Sequence, residues 1–177
     1  PAFCKRASLE RTADGGLIVR NTPAVPGAAG PGTALGLAQR FLDEEHRPGH
    51  QTSFALAEDA AAGRLAETLP QLVARLRDFL IESHYSGHAD RQGIPLLDGD
   101  ALDVTWWNLV SDPATGAWRS IDGEWRFAGL LPVDYVLWRG LLHVASRKPG
   151  LIAASGSGGA DPAGFALAAV GRLYPAA

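Results

Sequence analysis

The sequence predicts an α+β domain: a small N-terminal β-hairpin, then a mainly helical lobe with an inserted β-hairpin. Three observations predict it. The turn signal Asp14-Gly15-Gly16 separates two short strand-like runs near the start. Apolar residues recur at helical spacing over residues 65–80 and again over 133–144. Between those helices, strand-like runs around Leu109 and Trp118 flank the turn residues Asp112-Pro113-Ala114-Thr115-Gly116.

Taken in order, Ala2–Lys5 and Leu17–Arg20 form the first hairpin. Residues 22–33, TPAVPGAAGPGT, read as a loop or linker because Pro and Gly dominate. One domain over residues 1–177 is therefore expected, with hairpin and linker at 1–33 and the helical lobe at 34–177. Leu35, Leu37, Ala38, Phe41 and Leu42 predict a short helix over 34–45, broken by HRPGHQTS. The clearest helix runs from Leu69 to Glu82, with Thr68 as cap and Pro70 in the first turn. SHYSGHADRQG follows as a polar loop. LDVTWWNLV is a loop entering a strand, and Trp118–Ile121 is the returning strand, which places Asn108 and Asp122 at one end of the hairpin. Pro132–Arg147 is a second helix with Val133, Val136, Leu137, Leu141 and Val144 as its apolar stripe. Asp161 caps a last helix, with Pro162 first and Phe165, Leu167, Ala169, Val170 and Leu173 inside.

Composition narrows the function classes. A net charge of −3 supplies no basic field for nucleic acid. No apolar run is long enough to span a bilayer, and PAFCKRASLE lacks a secretory core segment. Cys4 is the only cysteine, so no internal disulfide forms and a cytoplasmic setting is expected. A chain that starts at Pro1 and contains no Met reads as an excised piece of a longer protein.

The residues that carry chemistry lie in a Trp-rich stretch: Asp103 and Asn108 in DVTWWN, then Asp122 and Glu124 in IDGEW. Phosphoryl transfer needs metal ions to neutralise phosphate charge and a carboxylate to orient the attacking hydroxyl. Asn108 and Asp122 offer the hard oxygens that Mg²⁺ prefers, and Asp103 can accept the hydroxyl proton. Glu124, two residues beyond Asp122, shares its side of an extended chain and assists the metal.

From Leu96 to Leu142 the chain resembles the catalytic and metal loops of the protein-kinase-like superfamily. It is most similar to the aminoglycoside and small-molecule phosphotransferase branch, where an acidic residue follows the metal Asp. LDVTWWNLV, IDGEW and PVDYVLWRGLL are also similar to kinase-like segments fused to methyltransferases or glycosyltransferases of bacterial surface-polysaccharide biosynthesis. The resemblance implies a truncated kinase-like domain that uses ATP and Mg²⁺ to phosphorylate a sugar or small-molecule hydroxyl. It implies Asp103 as the catalytic Asp, Asn108 and Asp122 as metal ligands, and Lys5 as the phosphate-binding lysine, with Glu44 or Glu45 as that lysine's acidic partner.

Alternatives stand beside this reading. Ala101 occupies the position where such kinases carry His or Tyr, and no G-x-G-x-x-G precedes Lys5. Both departures favour a catalytically silent scaffold or binding module attached to a methyltransferase or glycosyltransferase. Asp103 and Asn108 can equally serve turns, and Asp122-Gly123 can be a hairpin exit. Trp106, Trp107, Trp118, Trp125 and Trp138 are better suited to packing than to a carbohydrate platform. His84 and His88 have a metal-ligand spacing, but Gly87 argues for a loop there. Arg126 and Arg139 are expected to pair with Asp134 and Glu124.

Overall fold

A computed structural model describes residues 5–24, 36–46, 48–156 and 161–174. The architecture is mixed α+β, with small antiparallel sheets around a helical core.

The hairpin forms as β1 (Lys5–Arg11) and β2 (Leu17–Pro23). Thr12 and Gly16 close the turn through Thr12 N–H to Gly16 O at 2.9 Å, and Gly15 takes φ +89°, where a side chain is disfavoured. That closure pairs Arg11 with Leu17 and Lys5 with Pro23, so the first strand runs further along the chain than Ala2–Lys5. Ala2, Phe3 and Cys4 lie outside the described residues, as do residues 25–35 of the linker.

Of the helix expected over 34–45, the described residues 36–45 form none. Gly36 has φ +73°, β3 (Leu37–Gln39) pairs with residues 125–127, and β4 (Glu44–Glu45) pairs with β2. Two long-range pairings satisfy this backbone, and they outweigh a short helical pattern. After β5 (His50–Gln51) comes α1 (Thr52–Ala61), a helix the hydrophobic pattern does not announce. Leu56 is the one large apolar residue it buries, while Phe54 is exposed.

The long helix, α2, spans Leu65–His84 and starts four residues earlier than expected. Thr68 is therefore not its cap; its hydroxyl donates to the Arg64 carbonyl at 3.3 Å, and Pro70 sits in the second turn. Leu65, Leu69, Val73, Leu76 and Leu80 form the buried stripe, and this burial outweighs the backbone bond that Pro70 cannot make. The expected polar loop after it is partly a sheet: β6 (Tyr85–Ala89) pairs with β7 (Pro95–Leu97). Its residues are mostly exposed, so the strand rests on backbone pairing and not on an apolar pattern.

A 3-10 turn over Gly99–Asp103 leads into β8 (Leu109–Ser111) and β9 (Trp118–Ser120), the expected inserted hairpin. Then follow β10 (Trp125–Phe127), β11 (Leu131–Pro132), α3 (Val133–Arg147), α4 (Gly150–Ala154) and α5 (Pro162–Gly171). The antiparallel orders are β1-β2-β4, β10-β3, β11-β7-β6 and β5-β8-β9. The five predicted stripe residues of α3 are all buried. Asp161 caps α5 by accepting the Gly164 N–H at 2.8 Å. Phe165, Ala169 and Val170 face inward, but Leu167 is 68% exposed and is not a core residue.

The core joins α2, α3 and α5 through Leu76, Leu80, Leu137, Leu141 and Phe165, with Trp106 buried among them. Trp106 packs edge-on against Trp118 at 5.9 Å, and the Arg75 guanidinium covers the Trp118 ring at 4.2 Å. No helix among the described residues is long and apolar enough to cross a membrane.

Candidate functional site

The β8–β9 hairpin sets the site's geometry. Leu109 pairs with Ser120, and the Ile121 N–H donates to the Asn108 carbonyl at 2.8 Å. Asn108 and Asp122 thus sit at the same end of this hairpin, as the sequence suggests. The chain then turns sharply. Asp122 takes φ +56°, and the Glu124 N–H folds back to the Asp122 carbonyl at 2.8 Å. The segment is a turn and not an extended strand, so alternation does not set the direction of Glu124. Its side chain nevertheless joins that of Asp122, because both meet one cation.

That cation is the Lys5 ammonium. It pairs with Asp122 Oδ1 and lies 3.0 Å from Glu124 Oε2. Burial pulls the Lys5 ammonium's pKa down, but hydrogen bonds and charge from Asp122 and Glu124 outweigh that and hold it above its ordinary value. Lys5 therefore faces these two acids and not Glu44 or Glu45. Glu44 does something else. Its carboxylate accepts the backbone N–H of Asp122 at 2.7 Å and of Gly123 at 3.2 Å.

Asp103 lies behind this layer and is 7% exposed. Its Oδ2 accepts N–H groups from Glu124 and Trp125, each at 3.2 Å. Burial pushes its carboxyl up to about 6; the Trp125 N–H and the Arg139 charge oppose this, and Glu124 and Asp122 add to it. Asn108 spans its own loop: Nδ2 donates to the Asp103 carbonyl at 3.0 Å.

The arginines pair differently from the expectation. Arg126 Nε lies 2.9 Å from Asp100 Oδ1, not against Glu124. Arg40 Nη1 reaches Asp100 Oδ2 at 3.2 Å, so two guanidiniums share one carboxylate. Arg139 donates to the Leu102 carbonyl at 2.6 Å, which braces the turn carrying Asp103. Asp134 accepts instead from the Tyr174 hydroxyl at 2.7 Å.

A cleft of about 290 Å³ opens between the N-terminal sheet and this turn. Lys5, Val19, Asn21 and Glu44 line one side, and Ile121 and Asp122 the other. Asn21 is buried in that wall, held by Nδ2 to the Leu42 carbonyl at 2.8 Å, with no partner for its Oδ1 among the described residues. Ala7, Val19 and Ile121 are its apolar lining; Glu45 and His46 join Lys5, Asn21, Glu44 and Asp122 as its polar and charged lining.

The metal reading can be tested on the donor set. Among the described residues, no three His, Cys, Asp or Glu side chains gather as a protein-only metal cage. Mg²⁺ does not require one: it binds through one or two carboxylates and completes its shell with water and substrate phosphates. Asp122 and Glu124 converge on the Lys5 ammonium, so a metal ion would meet these two carboxylates only by displacing it. His84 ends α2 and His88 lies in β6, so they share no helix face.

Arg40 and Asp100 are site residues that sequence reasoning did not place, and Glu44, expected only as a possible partner of Lys5, holds the Asp122–Gly123 turn instead. Glu44 is 78 positions from Asp122, and no local pattern marks it. No family model, curated protein or solved structure matches this chain.

Proposed function

We propose that this is a kinase-like phosphotransferase module, acting with Mg²⁺ and ATP on a hydroxyl of a sugar or other small acceptor. The observation that carries the reading is the convergence of Asp122 and Glu124 on Lys5, with Lys5 and Asp122 lining the cleft and Asp103 accepting the Glu124 N–H behind them. Bound Mg²⁺ supplies neutralisation of phosphate charge. Asp122 and Glu124 would hold it, with Asn108 as the further ligand the sequence resemblance implies, and Lys5 would turn its ammonium from these carboxylates to the phosphates. Asp103 orients the acceptor hydroxyl and takes its proton as the new oxygen–phosphorus bond forms and the bond to ADP breaks. The sequence resemblance to segments joined to methyltransferases and glycosyltransferases is what supports an acceptor in bacterial glycan synthesis.

A second reading, a silent kinase-derived scaffold, draws on one specific observation. Asp103 already accepts two backbone N–H groups, so its carboxylate has a structural use that needs no substrate. Thermal melting with Mg·ATP separates the two. The phosphotransferase reading expects a rise in Tm at millimolar Mg·ATP that Asp122→Asn removes. A folded wild-type protein with no rise and no nucleotide heat in calorimetry sinks it in favour of the scaffold.

A further inference from the structure

Asp122 lines the cleft from a left-handed turn, with φ +56°. That conformation is uncommon for a residue with a side chain and persists where the surroundings impose it. Two successive N–H groups, those of Asp122 and Gly123, point to one side of this turn. Such a concavity binds an anion. The anion here is the Glu44 carboxylate, at 2.7 and 3.2 Å.

Glu44 belongs to the other side of the cleft. It lies in β4, which pairs with β2 through Val19 and Ile18. Its carboxylate therefore ties the N-terminal sheet to the turn that carries Asp122 and Glu124. Without it, both N–H groups lose their charged acceptor, and the turn can relax toward ordinary backbone.

We propose that Glu44 is a positioning residue: it fixes the Asp122–Gly123 turn so that the carboxylates of Asp122 and Glu124 meet at one cation. The functional half of this assignment rests on the phosphotransferase reading; the structural half does not. Glu44 binds no ligand itself in this role. It acts through the backbone of Asp122.

Two measurements on Glu44→Ala and the near-isosteric Glu44→Gln test it, with Glu67→Ala on α2 as control. In amide NMR spectra, the Asp122 and Gly123 resonances should shift in Glu44→Ala, shift less in Glu44→Gln, and stay in place in Glu67→Ala. In calorimetric titrations of Mn²⁺ with ATP, Glu44→Ala should raise the Kd by about tenfold, with partial recovery in Glu44→Gln. Unmoved amides overturn the positioning role whatever the nucleotide does. Moved amides with unchanged Mn²⁺–ATP affinity overturn it while leaving the phosphotransferase reading intact. A wild-type protein that binds no Mn²⁺–ATP removes that reading, and the functional half of this assignment falls with it. If Glu44→Ala does not fold, the same outcomes are read from Glu44→Gln.

Discussion

The Oδ2 atom of Asp103 accepts the backbone N–H of Trp125 at 3.2 Å. This contact joins the turn of Gly99–Asp103 to the start of β10. It also buries a carboxylate that has an ionisation cost.

That cost gives stability a pH dependence. The Asp103 carboxyl titrates near 6 in the folded protein, against 3.8 as its ordinary value, chiefly because burial disfavours the charge. Between those values the folded chain keeps a proton that the unfolded chain has lost. Stability from this group therefore falls as pH rises through that window and stays lower above it. Asp103→Asn removes the ionisation and keeps an oxygen for the two N–H groups. In urea unfolding, the variant should exceed wild type by up to about 3 kcal/mol at pH 7.5, and the gap should close near pH 4. A gap independent of pH would show that the Asp103 charge is not desolvated. Under the phosphotransferase reading, the same variant loses transfer activity while becoming more stable.

Lys5 offers a separate test, because its ammonium sits where Asp122 and Glu124 converge. The side chains of Lys5 and Glu124 are 22% and 20% exposed, but that of Asp122 is 43% exposed, so solvent screens part of the attraction. Lys5→Met should therefore lose only about 1 kcal/mol of stability at neutral pH. It should also free both carboxylates, so Mn²⁺ without nucleotide should bind the variant more tightly than wild type in EPR titrations. Weaker Mn²⁺ binding by Lys5→Met would mean that ammonium and metal do not compete for the same oxygens.

The sequence makes much of the framework legible, where a local signal agrees with the tertiary outcome. The α3 stripe, the Asp161 cap and the turn at Asp112–Gly116 each depend on residues close in the chain. Residues 37–39 form a strand where the local pattern predicts helix, because their partners, Trp125–Phe127, lie far along the chain and strand pairing leaves no periodic trace in three residues. The same holds for β6, whose exposed residues show no apolar alternation. At the site, the D-x-x-x-x-N spacing and IDGEW mark the loops that come together. Glu44 was visible only as a possible partner for Lys5, because its true acceptor role depends on backbone N–H groups that every residue possesses.

Asp122 carries two demands that substitution can separate: a left-handed backbone and a carboxylate. Asp122→Gly satisfies the first and removes the second. It should keep the stability of wild type to within about 1 kcal/mol while abolishing any Mg·ATP-dependent rise in Tm. Asp122→Val satisfies neither, since a β-branched residue resists positive φ, and should lose about 1–3 kcal/mol more than the Gly variant. Equal stability of the two variants in thermal melts would mean that the turn relaxes without penalty.

Gly99 opens the 3-10 turn that ends at Asp103, and it lies flat against β10. A Cβ added there would stand 1.7 Å from the Phe127 carbonyl oxygen and 2.9 Å from that of Gly129. Both atoms belong to backbone, so no side-chain rotation can make room. Gly99→Ala must push the turn and β10 apart. That separation strains the Arg126–Asp100 ion pair at 2.9 Å and the two N–H contacts to Asp103 together. The loss should exceed about 4 kcal/mol, because overpacking and a broken buried network act at once. Chemical denaturation measures the loss, and near-UV circular dichroism reports the altered surroundings of Trp125. A Gly99→Ala protein with wild-type stability would show that the turn does not hold Asp103 against β10, and the placement of that carboxylate behind Glu124 would lose its structural cause.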